Sequence, residues 1–153
     1  MSIRTATQLS AFLVNRPGVL AQATKALAKR KVNILALTLM DSTEHGVLRL
    51  VVDDIAAARK ALAGINSPVT TTQVLLVEMD NRPGAMAHVC GELASAHIEI
   101  TYAYCSTGAP GGRTLGVFKV NPVEKALKVL GARSTPPKKD ERIAARGRGK
   151  SRR

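Results

Sequence analysis

Tryptophan is absent from the chain, and two Tyr and two Phe are its whole aromatic content. A core must therefore be assembled from Leu, Val, Ile and Ala, which suits short strands packed under helices. Cysteine is nearly missing too. Cys90 and Cys105 lack CxxC spacing, which excludes a disulfide framework or a zinc cluster and fits two reduced thiols in a reducing compartment. No apolar run approaches the ~18 residues of a membrane-spanning helix, and the opening MSIRTATQLSAFLV has no signal-peptide pattern. These absences predict a cytoplasmic protein with no membrane association. GxSxG, Walker and GxGxxG sequences are also missing. Gly108-Ala109-Pro110-Gly111-Gly112 lacks the Lys and helix that follow a phosphate loop, and His45, His88 and His97 form no HxxxH or His/Cys cluster. Catalysis, a bound cofactor and a metal site therefore have no support, and a non-enzyme is expected.

Acidic residues are outnumbered 23 to 11, giving a net charge of +12. That excess is uneven. From Ala132 to Arg153 nine cations face only Asp140 and Glu141, so seven of the twelve net charges lie there. From Ser134 onward Pro, Gly, Lys, Arg and Ala dominate and apolar content is low, which predicts a disordered basic tail.

An internal repeat organises what precedes the tail. Asn15-Arg16-Pro17-Gly18 recurs as Asn81-Arg82-Pro83-Gly84, an offset of 66 residues, and residues 15–34 then align with 81–100 without a gap. Ala21/Ala87, Leu27/Leu93, Ala28/Ala94 and Ile34/Ile100 are further identities, making eight in twenty. Two related units follow, over 1–70 and 71–132, with the tail at 133–153.

Each unit reads in one order. A strand (Thr7–Val14; Gln73–Met79) runs into Pro-Gly, which opens a helix with Pro near its first position. Leu20, Ala23, Leu27 and Ala28, or Met86, Val89, Cys90, Leu93 and Ala94, form the helix's apolar stripe. Second strands (Val32–Met40; Ile98–Cys105), third strands (Val47–Asp53; Thr114–Val120) and second helices (Asp54–Ala63, capped by Asp54; Pro122–Leu130) follow. Val69–Thr72 closes the first unit. The second has no obvious fourth strand, so either it is lost or something else covers that edge. The order is that of a ferredoxin-like βαββαβ unit, α+β with an antiparallel sheet. In the second strand, Leu35, Leu37 and Leu39 point one way and Ile34 and Ala36 the other. Val74 and Leu76 against Leu75 and Val77 repeat this, so both faces are covered, within the tandem or across a dimer. Tyr102 and Tyr104 share a strand face. They could imitate an RNA-stacking platform, but the third strands lack that module's aromatic residues, which favours core or interface packing.

The strand, x-Pro-Gly, apolar pair and Ala-containing helix, followed by Val32-Asn33-Ile34 or Ile98-Glu99-Ile100, resemble the ACT domain. The resemblance covers roughly residues 7–131 and implies a tandem ACT-like protein. By that resemblance, Asn15, Arg16, Pro17, Gly18, Val19 and Leu20, and Asn81, Arg82, Pro83, Gly84, Ala85 and Met86, are the candidate ligand-binding residues. Asn33 adds a polar contact from the second strand. Its counterpart Glu99 departs from the pattern and makes the sites unequal. The resemblance implies a non-catalytic regulatory protein that binds an amino acid or related metabolite, as a homodimer, with a partner enzyme of amino-acid metabolism.

General chemistry agrees with that ligand. A helix N-terminus presents free N–H groups to a carboxylate, Gly permits close backbone approach, the Asn oxygen accepts from an ammonium, and Arg adds a carboxylate contact. NRPG also serves as a plain strand-to-helix connector, with Asn capping and Pro-Gly turning. Two rival functions stand beside the first: a nucleic-acid-associated protein acting through its tail by salt-dependent contacts, and an enzyme's regulatory subunit with vestigial sites.

Overall fold

The computed structural model describes residues 1–40, 45–107 and 112–131; the expected tail and the two Gly- or Asp-containing turns at 41–44 and 108–111 lie outside them. The elements are β1 (Ser2–Val14), α1 (Val19–Lys29), β2 (Ile34–Met40), β3 (His45–Val52), α2 (Ile55–Ala63), β4 (Val69–Asp80), α3 (Ala85–Ser95), β5 (Glu99–Thr107), β6 (Arg113–Asn121) and α4 (Val123–Val129). The fold is α+β, and its strands form one antiparallel sheet in the order β2-β3-β1-β4-β6-β5.

Two long strands at the centre join the units. β1 and β4 pair from Ser2↔Glu78 to Ala11↔Val69. The later part of β1, Leu9–Val14, also pairs with β3, and Leu75–Asp80 of β4 pairs with β6. Each strand is thus the first strand of its own unit and the fourth strand of the other. Val69–Thr72 closes unit one, as its composition suggests. The missing fourth strand of unit two is supplied by Ser2–Ala6, at the far end of the chain. The first strand therefore begins at Ser2 rather than Thr7. Ile3 shows why: its side chain packs into the core of unit two with Leu75, Val77, Phe118 and Val89.

Each unit places its two helices on one sheet face. Leu9, Leu13, Leu48 and Leu50 meet Ala23, Leu27, Ala58 and Leu62 in unit one. In unit two, Gly116 stands where unit one has Leu48, and Phe118 where it has Leu50. A Cβ on Gly116 would lie 2.7 Å from the Phe118 ring, so the larger side chain occupies the volume that the glycine leaves. Asp54 caps α2, accepting from the Ala57 N–H at 2.9 Å.

The helix ends repeat as well. Lys31 and His97 both adopt left-handed backbone, with φ of 57° and 54°. Val32 and Ile98 donate back to Leu27 and Leu93, and Lys31 and His97 to Ala28 and Ala94. These paired bonds form a Schellman closure with a non-glycine residue at its left-handed position.

The helix-free face is concave. Gln8 on β1 is fully buried; its Nε2 donates to the Tyr102 hydroxyl at 2.7 Å, and the Tyr104 hydroxyl donates to its Oε1 at 2.9 Å. β4 and β6 lie between β1 and β5, so these bonds require the sheet to curl. The Arg49 guanidinium sits 4.1 Å from the Tyr102 ring centre, a cation–π contact that joins β3 to β5. Ala36, Val51, Val74, Leu76 and Val117 fill the concavity, so β4 and β6 are covered on both faces within one chain, whereas the expected cover of β2 is corrected: Leu37, Leu39 and Met40 stay exposed. Burial, then the neighbouring Tyr102, pushes the Tyr104 hydroxyl above its ordinary pKa and keeps it protonated as a donor.

One expected alternation is corrected. A bulge between Ile34 and Ala36 shifts the register, so Ile34 packs on the helix side while Leu35 joins Ala36 in the concavity. Leu37 and Leu39 pair with Leu50 and Leu48. β5 has the same irregularity between Ile100 and Tyr102.

Replacing Gln8 by Leu leaves both tyrosine hydroxyls facing an apolar side chain and should cost about 2 kcal/mol, read as a lower urea midpoint with unchanged slope. His97→Gly should move the other way. Relief of left-handed strain is expected to raise stability by about 0.5–1 kcal/mol, seen as a melting temperature a few degrees higher in calorimetry.

Candidate functional site

Strand-to-helix connection fixes both NRPG loops, and it does so in the same way twice. Arg16 N–H donates to Val14 O and Arg82 N–H to Asp80 O, each at 2.9 Å. Gly18 and Gly84 then take φ of 86° and 87° and occupy the N-cap positions of α1 and α3, with no side-chain cap bond. Capping by Asn is therefore corrected. Pro17 and Pro83 precede the N-cap instead of opening the helix. Glycine is required here because other residues resist positive φ; nothing lies within 4 Å of a Cβ built at either position.

That open space lies over the helix N-termini. Both glycines are exposed, and the first turn of a helix carries N–H groups with no intrahelical acceptor. The side chains of Val19 and Leu20 turn into the core of unit one, and those of Ala85 and Met86 pack against the core of unit two. What Val19, Leu20 and Met86 offer a ligand is backbone N–H, whereas the Ala85 N–H already donates to Arg82 O at 3.3 Å. His88 is exposed on the first turn of α3.

The surroundings of the two loops differ sharply. In unit two, Arg113 meets Asp80 at 3.0 Å and Glu78 at 3.8 Å, and Arg82 meets Asp80 at 3.8 Å. Two carboxylates and two guanidinium groups thus balance beside Gly84. Unit one has Val14 where unit two has Asp80, and Phe12 where it has Glu78. Among the described residues Arg16 has no carboxylate partner. Phe12, Val47 and Met40 face one another across β1, β3 and β2, with Phe12 54%, Val14 55% and Met40 50% exposed. This apolar strip was not recognised in the sequence. The comparison of Phe12 and Val14 with Glu78 and Asp80 at the 66-residue offset was the signal available.

Two distances limit how a site can be assembled. β1 and β4 are antiparallel, so the loops that follow them lie at opposite ends of the central pair, roughly 45 Å apart along the strands at 3.3 Å per residue. Asn33 follows the far end of α1, about 16 Å along the helix from Gly18. Its N–H donates to Asp53 Oδ1 at 2.8 Å. One chain brings neither the two loops together nor Asn33 to its own loop. Among the described residues no group of three or more His, Cys, Asp or Glu is arranged to hold a metal, Cys90 and Cys105 are free thiols, and no helix is long and apolar enough to cross a membrane.

Comparisons with known proteins agree with this architecture. A protein from Bacteroides thetaiotaomicron of known structure is 34% identical, with a TM-score of 0.76 over 84% of this chain and 88% of that one. The regulatory subunit of aspartate kinase from Thermus thermophilus has the same fold at 16% identity, with a TM-score of 0.63 over 85% and 95% of the two chains. The corresponding subunit from Thermus flavus is 19% identical, with a TM-score of 0.57 over the same shares. No curated protein matches the chain. Residues 4–136 match the ACT domain pair, and the chain belongs to that family.

Proposed function

We propose that this ACT pair is a non-catalytic regulatory module that binds a free amino acid or closely related metabolite at the Asn15–Leu20 loop, in a site completed by a second copy of the chain. The observation that carries the reading is the exposed N-terminus of α1 behind a left-handed glycine, next to Arg16, which has no carboxylate partner among the described residues. Backbone N–H groups and a guanidinium together suit a carboxylate. Asn15 supplies an oxygen for the ammonium. The second copy would cover Phe12, Val14 and Met40, which form an apolar strip beside this loop only. Unit two, whose two arginines are already matched by Asp80 and Glu78, contributes a weaker site at Asn81–Met86 or none.

A ligand held between two copies regulates only if one arrangement of the copies binds it better. The solved relatives described as regulatory subunits of aspartate kinase support a partner enzyme as the recipient of that change. A soluble, cytoplasmic setting belongs to the same reading.

Titration calorimetry of the full chain against the twenty amino acids tests the ligand. At least one should bind at millimolar concentration or below, and a blank set would remove the proposal. Gly18→Ala and Gly84→Ala should each destabilise the fold by about 1–2 kcal/mol, the cost of left-handed backbone for a residue with Cβ. Only Gly18→Ala should weaken the heat of binding, by tenfold or more. Phe12→Asp combined with Met40→Asp should convert a dimer to a monomer in sedimentation velocity; an unchanged sedimentation coefficient would refute the apolar contact.

A further inference from the structure

The outer surface of unit one carries a feature that its ligand loop does not explain. A groove of about 600 Å³ between α1 and α2 is lined by Gln22, Lys25, Lys29, Arg30 and Lys60, over a floor that includes Ala61 and Gly64. Among the described residues its lining contains no carboxylate and no aromatic residue. Lys31 and Arg59 adjoin it in sequence. All six cations are exposed, and none joins an ion pair among the described residues. The nearest acids in sequence, Asp53 and Asp54, accept from the Asn33 and Ala57 N–H groups and form no ion pair with these cations among the described residues.

Unit two acts as an internal control. At the same offset Lys25, Lys29, Arg30 and Lys31 become Gly91, Ser95, Ala96 and His97, and at the offset of the second helices Arg59 becomes Leu127. Lys60 alone has a basic counterpart, Lys128. The same fold is thus built in the same chain without these cations, so helix formation does not require them.

We propose that this groove binds the phosphate backbone of double-stranded nucleic acid, without base specificity. From Gln22 to Arg30 the groove runs about 12 Å along α1, the axial span of about three to four phosphates of one strand. Four cations therefore meet a similar number of phosphates. The negative ends of the two helices amount to about one charge in total and are outweighed. Small floor residues let a strand settle close to the helices. An acidic protein fits less well, because protein interfaces are depleted of Lys and centre on buried apolar anchors, which the groove lacks. A single strand fits less well too: such sites stack bases on aromatic rings, and Tyr102 and Tyr104 are bonded to Gln8.

The test is fluorescence anisotropy of a mixed-sequence DNA duplex titrated with full-length protein between about 50 and 200 mM salt. Three full-length variants are compared: K25E/K29E/K60E, the milder K25Q/K29Q/K60Q, and R146E/R148E/K150E, which has the same net charge as the first. The first should bind at least about tenfold more weakly at low salt, and its salt slope should fall by about 2–3, the share of three lost phosphate contacts. The Gln variant should shift the same way, so a folding defect in the first would not leave the question open. The third should stay within about threefold of wild type. Absence of duplex binding by the wild type, an equal or larger loss in the third variant, or competition by polyglutamate as strong as by unlabelled duplex would each overturn the proposal. The amino-acid site plays no part in these readouts.

Discussion

Pairing between β1 and β4 is the constraint on which the remaining structure rests. Each of these strands satisfies two obligations at once, carrying a helix-covered core in one half and completing the neighbouring unit's sheet in the other. Buried backbone groups must be hydrogen-bonded, and here the partner for unit two's sheet is the opening half of unit one's own first strand. Ile3 seals the arrangement by packing in a core whose other members lie more than seventy residues downstream. Two units that share strands in this way have little reason to open separately. Curling of the same sheet then joins its outer strands, through Gln8 to the two tyrosines and through Arg49 to Tyr102.

The duplicated plan also lets one half of the molecule serve as a reference for the other. Loop geometry, helix closure and the bulge in the second strand recur almost identically, so differences between the halves are differences of chemistry on one backbone. Near the loops, Phe12 and Val14 oppose Glu78 and Asp80. On the helices, Lys25, Lys29 and Arg30 oppose Gly91, Ser95 and Ala96. Among the described residues unit one has gathered apolar surface and cations without ion pairs, and unit two a balanced set of charges.

Much of this was legible before any coordinates. Repetition of Asn-Arg-Pro-Gly located both helix starts, the apolar stripes located the helices, and Asp54 was recognisable as a cap. The turning role read for Pro-Gly is met at Gly18, whose backbone angle demands glycine whether or not a ligand approaches. Ser2–Ala6 was passed over because Ser-Ile-Arg-Thr-Ala holds a single large apolar residue and its partner strand is remote in sequence. The bulge was hidden for the opposite reason. In Ile34–Met40 nearly every residue is apolar, so no polar position marks the slip in register. Gln8 gave no sign at all, since its partners lie on a strand that is not its neighbour in the sheet. Of the candidate site, sequence alone supplied the residues, while their separation across the molecule depended on strand direction, which the repeat does not encode.

Exchange of strand halves has a practical corollary for anyone handling the protein. Ser2 lies opposite Glu78, three residues before Asn81, which places Ser2 within roughly 10 Å of the second Asn-Arg-Pro-Gly turn. An affinity tag or fusion partner joined ahead of Met1 would emerge there and crowd that turn. The first turn, at the other end of the sheet, would stay unobstructed.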